Sequence, residues 1–281
     1  MNENVFTVSS VFQDAIAISK KSFFRIAGLF LLGMASYIPV IFIRVSAESA
    51  PKPIAAAISL STILAIFVFQ AVIYQAVIRV ALKNLSLSEA LLSSISDWKA
   101  LTLISVLLTA ISYGGMLFLF IPGFIFVFWY GFASFVFADE RLTGMDALMR
   151  SKSYVVGRWW KVLGYLILAG LAALGAVVVA GLVFIINPIV GRFAIIASWA
   201  FVMVFLAAFN TSLYKAVSTS RAEVRSAPVA SPHWFEKTAL VVGIVIVIIG
   251  VLISSLSRDE KSQKPSDFNP NLLGEVGGLI N

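Results

Sequence analysis

The chain has 281 residues, with 21 Lys and Arg, 14 Asp and Glu, a formal net charge of +7, one His and no Cys. Hydrophobic residues make up 60% of the sequence and charged residues 12%, whereas soluble domains are about half apolar and about a quarter charged. A soluble globule of this size cannot hide so much apolar surface, so the composition predicts an integral membrane protein. The absence of Cys excludes disulfides and thiolate sites, and a single His argues against a zinc site or a Ser-His-Asp triad.

Seven apolar segments approach or exceed the length of helix that crosses a hydrocarbon core, which is about 20 residues. We predict spans at 23–43, 54–82, 100–120, 124–138, 161–186, 193–214 and 238–256. Spans three and four share one uncharged stretch, and we place the turn between them at Pro122 and Gly123. Proline lacks an N–H donor and glycine tolerates positive φ, so this pair favours a break. An interfacial or re-entrant position is the alternative for the seventh segment, whose length favours a crossing.

The distribution of basic residues predicts the orientation, because Lys and Arg are retained on the cytoplasmic side of a membrane. With a cytoplasmic N-terminus, 15 of them lie in inner loops and three, Arg44, Lys52 and Arg192, in outer loops. We therefore predict a multi-pass protein of the bacterial cytoplasmic (inner) membrane, with the N-terminus inside and the C-terminal tail outside. The positive charge is spread over four loops, which argues against nucleic-acid binding.

An acid, an alanine and a large apolar residue recur before an aromatic residue and a cation, at 14–16, 89–91 and 146–148. We interpret this recurrence as three repeats, at about 7–83, 86–138 and 143–215, each an interfacial helix followed by two spans. Capping boxes at Ser10-x-x-Gln13 and Ser86-x-x-Glu89 predict the first two interfacial helices. The alternative is that any multi-pass protein carries aromatic and basic residues where its helices start.

The predicted fold class is thus an all-α, polytopic transmembrane helix bundle with six core spans and a seventh C-terminal span. A six-span membrane domain occupies 1–216, a flexible linker 217–237, the seventh helix 238–256 and a disordered polar tail 257–281. Trp98, Trp159 and Trp160 are predicted anchors in the headgroup belt. The pair Gly114-Gly115 predicts close helix packing within span three.

Residues 121–161 carry a resemblance to a known family. The features are Ile121-Pro122-Gly123, Trp129, Asp139-Glu140, Gly144, Ala147-Leu148, Ser151, Gly157 and Trp159-Trp160. This pattern resembles the membrane domain fused to some bacterial glycerophosphodiester phosphodiesterases and its stand-alone relatives, the uncharacterised YciC-like inner-membrane proteins. The resemblance covers about residues 5–216 and implies a six-span bundle with cytoplasmic termini and no assigned chemistry. The soluble phosphodiesterase barrel is missing from this sequence, so that activity does not carry over, and the linker and seventh span depart from the pattern.

Motifs for nucleotide binding, zinc proteolysis and serine hydrolysis are missing from the sequence. We therefore predict a non-enzymatic protein with no catalytic residue, metal or cofactor. The alternative is a membrane enzyme that uses Asp139 and Glu140, the best acidic pair, for metal binding or general acid chemistry. A simpler interpretation makes this pair the end of a helix, with Arg141 and Lys161 as counter-ions.

Five cations lie close together in the sequence after span four: Arg141, Arg150, Lys152, Arg158 and Lys161. Each would attract anionic lipid by about 1 kcal/mol near the surface, so we predict headgroup contacts for this group. The topology rule alone is the alternative explanation. The predicted partners are anionic phospholipids or an unidentified membrane protein.

Four polar residues lie deep in the predicted spans: Gln70, Tyr74, Gln75 and Asn210. They support the second functional hypothesis, a transporter of a lipid-like or weakly polar solute through a cavity that these side chains line. Hydrogen bonding to a neighbouring helix is the structural alternative, at about 0.6 kcal/mol on average. A transporter predicts that the four face one cavity, whereas a structural role predicts pairing across helix interfaces.

Overall fold

The computed structural model describes residues 6–48, 51–118 and 120–260. Helices are the only regular elements in these ranges, so the all-α prediction is confirmed. Six segments are long and apolar enough to cross a membrane: Val8–Ile43, Pro53–Lys83, Trp98–Met116, Gly123–Glu140, Trp159–Ile186 and Pro188–Thr219. They correspond in order to the six predicted core spans.

Twelve helices make up the described ranges. They are α1 (Val8–Ala35), α2 (Tyr37–Glu48), α3 (Lys52–Lys83), α4 (Leu87–Ser96), α5 (Trp98–Phe118), α6 (Phe120–Tyr130), α7 (Ala133–Glu140), α8 (Gly144–Val155), α9 (Trp159–Ile186), α10 (Pro188–Thr219), α11 (Ala222–Ser226) and α12 (Trp234–Glu260). Sequential helices pack as hairpins, α1 with α3, α5 with α6 and α9 with α10. The third hairpin also packs on the first through α1 and α10, and α12 packs along α5.

The internal repeat has a structural counterpart at the junctions between hairpins. Asn84 and Arg141 end α3 and α7 in the left-handed conformation, with φ of 55° and 63°. Each is followed by a leucine and then by the N-cap of the next short helix, Ser86 or Thr143. Because left-handed backbone is uncommon outside glycine, the same device at two equivalent places supports a repeated unit.

The three triplets also share their burial. Their alanines, Ala15, Ala90 and Ala147, are fully buried, and a buried serine follows each of them four residues later. These serines are Ser19, Ser94 and Ser151. A spacing of four puts both small residues on one helix face, where they allow a neighbouring helix to approach closely.

The first repeat differs from its prediction because it lacks a separate interfacial helix. Residues 8–35 form one continuous helix, since no proline interrupts them. The capping box is formed by Thr7 and Ser10, one turn before the predicted Ser10-x-x-Gln13 box. The second prediction is confirmed, because Ser86 and Glu89 cap α4 reciprocally, with the Ser86 N–H donating to Glu89 Oε2 at 3.0 Å.

The predicted turn at Pro122 and Gly123 is wrong in position. Both residues lie in the first turn of α6, where a proline is tolerated because its missing N–H has no acceptor in the helix. Helix α5 already ends at Phe118. Gly123 serves packing instead, since a Cβ there would lie 2.3 Å from the Met116 nitrogen of α5.

Two spans are interrupted where no interruption was predicted. Span one is interrupted at Ser36, between α1 and α2, and Pro39 in the first turn of α2 accounts for the interruption. Span four is broken at Gly131 and Phe132, between α6 and α7. Ser151 of α8 satisfies the second break, donating to the Trp129 carbonyl at 2.7 Å and accepting the Phe132 N–H at 3.1 Å.

The segment 217–237, predicted as a flexible linker, holds more structure than its composition indicated. α10 continues to Thr219, α11 occupies Ala222–Ser226, and α12 starts at Trp234. Side chains of α8 bind this segment, because Arg150 donates to the carbonyls of Val224 and Ala227. The predicted seventh span lies within α12. Of the predicted disordered tail, residues 261–281 lie outside the described residues.

Candidate functional site

Carboxylates and basic side chains from α3, α7, α8, α11 and α12, with Asp97 and Arg141 at helix ends, form a set of salt bridges that we call the charged face. Its acids are Asp97, Asp139, Glu140 and Glu236. Each acid forms at least one salt bridge. Most of the basic side chains near α8 in the sequence are therefore paired within the fold.

Arg150 lies at the centre of the charged face, with only 7% of its side chain exposed. Its Nε lies 3.3 Å from Glu140 Oε2, and its two terminal nitrogens donate to the carbonyls of Val224 and Ala227. The Tyr154 hydroxyl donates to the other Glu140 oxygen at 2.6 Å, and burial raises the pKa of that hydroxyl. Arg150 is therefore a buried clamp between α7, α8 and the segment before α12.

Asp139, the neighbour of Glu140, has a separate set of partners. The Tyr214 hydroxyl donates to Asp139 Oδ2 at 3.1 Å, and Arg225 lies 3.1 Å from the same oxygen. The two acids of the candidate catalytic pair are thus neutralised by different arginines. Among the described residues, no three His, Asp or Glu side chains gather closely enough to hold a metal ion.

Glu236, in the first turn of α12, is the most deeply buried acid of the charged face, and sequence reasoning missed it, as it missed Arg79, Asp97 and Arg225. Its side chain is 2% exposed and accepts from Lys152 Nζ, from the Tyr130 hydroxyl at 2.9 Å and from the His233 backbone N–H at 2.6 Å. Burial alone would raise the pKa of Glu236, but these donors outweigh it and hold the pKa below its ordinary value. The available sequence signal was an acid in the first turn of an apolar helix, which usually indicates only a favourable helix dipole.

Asp97 joins the first and second repeats. Arg79 of α3 donates to Asp97 Oδ2 at 2.5 Å, and Arg141 donates to the same oxygen at 2.7 Å. Burial opposes ionisation of Asp97, yet the two arginines keep its pKa below the ordinary value. Arg79 is 3% exposed and also lies over the Phe137 ring, so it is a structural cation.

The five cations predicted to contact lipid headgroups do not form one free basic surface, and their contact with lipid stays a prediction. Arg150 and Lys152 are held by Glu140 and Glu236, and Arg141 by Asp97. Arg158 donates to the Ser220 hydroxyl at 2.6 Å, and Lys161 lies over the Phe6 ring at 4.2 Å.

The predicted aromatic anchors lie at helix starts. Trp98 is the first residue of α5 and is 44% exposed, with Lys99 lying 5.8 Å from the centroid of its ring. Trp159 and Trp160 open α9 with their ring centroids 3.8 Å apart, and Trp160 is 69% exposed. Exposed aromatic residues at these positions are typical of the headgroup region, and that location stays a prediction.

The polar residues of spans two and six do not meet in one cavity. Gln70 donates to the Gly33 carbonyl at 2.9 Å, so it satisfies the carbonyl freed by the break in span one. Gln75 donates to the Ser134 carbonyl of α7 at 3.3 Å, and Asn210 bonds within its own helix. Tyr74 is exposed on the outside of the bundle. The geometry matches the structural role for Gln70 and Gln75, so the transporter hypothesis keeps only its other basis, the internal repeat, and stays a prediction.

No protein-family model matches the sequence, and neither a curated protein nor a solved structure matches it significantly. The resemblance to the YciC-like membrane domains therefore stays a prediction.

Proposed function

We propose that the chain is a non-enzymatic protein of the bacterial cytoplasmic membrane that acts by contacting anionic phospholipids on the cytoplasmic side. The N-terminus and the charged face lie in the cytoplasm in this proposal, and α12 carries the tail outside. The loop charges support this orientation, because 15 of the 18 Lys and Arg before span seven then lie inside.

One observation carries the proposal: the basic side chains of these loops include a buried, paired group and an exposed group that contains several lysines. Arg79 and Arg150 are buried in salt bridges. By contrast, several lysines are exposed, namely Lys20, Lys21, Lys99, Lys215 and Lys237. An ammonium group on a flexible stem, beside an exposed tryptophan as at Trp98 and Lys99, suits contact with phosphate headgroups at an interface.

The pairing of the acids supports a non-enzymatic role. A general acid or base needs a partly free carboxyl within reach of a substrate. Asp139 and Glu140 instead accept from arginines and tyrosines of the fold, and such saturated pairs are typical of structural ion networks.

The test replaces Lys20, Lys21, Lys99 and Lys215 together by Gln. At about 1 kcal/mol per cation near an anionic surface, we expect retention of phosphatidylglycerol to fall at least tenfold, measured by native mass spectrometry after extraction in mild detergent. The matched control replaces the same four lysines by Arg, which keeps the charge and should keep the lipid.

Equal phosphatidylglycerol loads in the Gln and Arg variants would contradict lipid contact by these lysines. A different result is a protein that co-purifies in stoichiometric amount with the Arg variant and is lost from the Gln variant. That result would show that these lysines contact a protein partner and not lipid.

A further inference from the structure

A cavity of about 190 Å³ opens between the end of α8 and the segment that leads into α12. Its walls come from Lys152, Ser153 and Val156 of the α8 end, from Arg221, and from Ser231 and His233. The polar side chains among these residues carry hydrogen-bond donors, and none of the lining residues is acidic. The liquid volume of one water is about 30 Å³, so the cavity holds about six waters or a small hydrated anion.

Arg221 lines the cavity and Arg158 is its electrostatic neighbour, and among the described residues neither charge is neutralised by a salt bridge. Arg158 donates to the Ser220 hydroxyl and Arg221 donates to the Ser153 carbonyl at 2.7 Å, which are neutral acceptors. Burial and the neighbouring Arg158 lower the pKa of Arg221. The negative charge of Glu223 raises that pKa, but by less than Arg158 lowers it. Because arginine stays protonated in proteins, Arg158 and Arg221 repel each other, and a bound anion would relieve that repulsion.

The backbone at Gly157 leaves room for the Arg221 side chain. Gly157 has φ of +83°, and a Cβ at that position would lie 3.2 Å from an Arg221 terminal nitrogen. A guanidinium has five N–H donors, and the bond to Ser153 uses only one of them. The remaining Arg221 donors and the Ser231 hydroxyl face the cavity as hydrogen-bonding groups, whereas the Lys152 ammonium on the same wall is already paired with Glu236.

We propose that this cavity binds a phosphate group, held by Arg221 with help from Arg158 and the cavity walls. The ligand chemistry is a phosphate ester or inorganic phosphate, since a planar guanidinium pairs with phosphate oxygens through two parallel hydrogen bonds. Arg158 directly precedes the exposed tryptophan pair that opens α9, so a phospholipid headgroup can reach the same depth. The inference rests on the proposed location at a membrane surface and is independent of the exposed lysines.

The test uses the full chain in mild detergent and two probes. Native mass spectrometry measures binding of phosphatidylglycerol, and isothermal titration calorimetry measures binding of inorganic phosphate. Loss of a charge-assisted hydrogen bond predicts at least tenfold weaker binding in Arg221→Gln. Because that variant also loses the bond to Ser153, a second variant, Ser231→Asp, keeps Arg221 and places a negative charge on the wall, with the same expected loss.

Ser88→Asp is the control, because it adds the same negative charge on α4, outside the residues that line the cavity, and it should bind within twofold of the unmodified chain. Binding of phosphatidylglycerol that falls in the two test variants assigns the site to a headgroup, and binding of inorganic phosphate that falls assigns it to a soluble phosphate. If neither probe binds the unmodified chain, or binding survives in both test variants, the proposal is overturned. The four-lysine Gln variant leaves this cavity intact, so failure of the proposed function and failure of this site are distinguishable.

Discussion

At the residue scale, the charged face shows how a membrane protein uses arginine inside its fold. Arg79 and Arg150 are almost completely buried, and each has a carboxylate and further acceptors or an aromatic ring around it. Removing one partner of such a pair leaves an uncompensated buried charge, which costs far more than losing an exposed pair. The buried arginines should therefore be the positions most sensitive to neutral substitution.

Arg150→Gln should lower the free energy of unfolding by about 3–5 kcal/mol, since Glu140 loses its counter-ion. It should also release residues 224–227, whose carbonyls Arg150 holds. Thermal unfolding in detergent measures the first effect, and faster tryptic cleavage at Arg225 the second. Arg225→Gln is the control for stability, because that side chain is 51% exposed and its pair is expected to contribute about 1 kcal/mol or less. Equal losses in both variants would contradict the buried clamp.

Glu236 should make stability depend on pH in acid. Its pKa in the folded chain is below the ordinary value of 4.5, so its contribution is fully present above about pH 4.5 and is lost as the pH falls through the folded pKa. The stability advantage of the unmodified chain over Glu236→Gln should therefore be constant from pH 7 to 5 and shrink below that. Melting curves of both proteins across this range provide the measurement. An advantage that grows in acid would contradict the assigned direction.

At the element scale, interrupted helices and matched small residues shape the bundle. The breaks in spans one and four free backbone groups, and Gln70 and Ser151 from other helices satisfy them. Helices α5 and α12 meet through the same motif, Ala110-x-x-x-Gly114 and Ala239-x-x-x-Gly243. A Cβ on either glycine would lie 1.8 Å from a carbonyl oxygen of the opposite helix, so the two backbones touch.

Ser151→Ala should destabilise the chain by about 1–3 kcal/mol, because the Phe132 N–H and the Trp129 carbonyl lose their buried partner. Ser94→Ala is the matched control, as it occupies the equivalent position of the second repeat and its buried hydroxyl has no partner among the described residues. We expect that control to be neutral or slightly stabilising in thermal melts. If the two substitutions cost the same, Ser151 does not support the break.

Gly243→Ala should destabilise the contact between α5 and α12 by about 1–3 kcal/mol, since the added carbon forces the helices apart. The same substitution at Gly175 in α9 is the control. Nothing lies within 4 Å of a Cβ there, and alanine should stabilise that helix by about 0.5–1 kcal/mol. Opposite signs in the two melting shifts are expected. A neutral Gly243→Ala would show that the contact is loose.

At the scale of the whole molecule, three hairpins and a final helix form one bundle whose topology is testable because the chain has no Cys. Ser88 and Arg192 lie near the starts of α4 and α10, on opposite predicted sides of the membrane, and each can be replaced by a single cysteine. In intact cells, a membrane-impermeant maleimide should label the cysteine at 192 and leave the one at 88 unlabelled. A cysteine replacing Ser262 should be labelled if α12 crosses. The reverse pattern at 88 and 192 would invert the proposed orientation.

The architecture could largely be predicted from the sequence, whereas the charged face could not. Length and hydropathy determine where a helix can cross, so the six spans follow from composition. Partners in the charged face are separated in the chain: Glu140 and Arg150 are 10 residues apart, and Lys152 and Glu236 are 84 residues apart. A single sequence has no signal for such pairs. The sequence therefore predicts headgroup contacts for Arg150 and Lys152 and gives no indication of their salt bridges. The break at Gly131 was missed because its cap, Ser151, belongs to another helix.

The contact between α5 and α12 also has a consequence in time. The glycine face of α5 around Gly114 finds its partner only when the chain around Gly243 has been made, about 125 residues later. At a synthesis rate of about 5–20 residues per second, that delay lasts roughly 6–25 seconds. Throughout that interval, the surface of α5 that later contacts α12 is exposed to lipid or to the insertion machinery. The last helix of the chain thus determines when the second hairpin is complete.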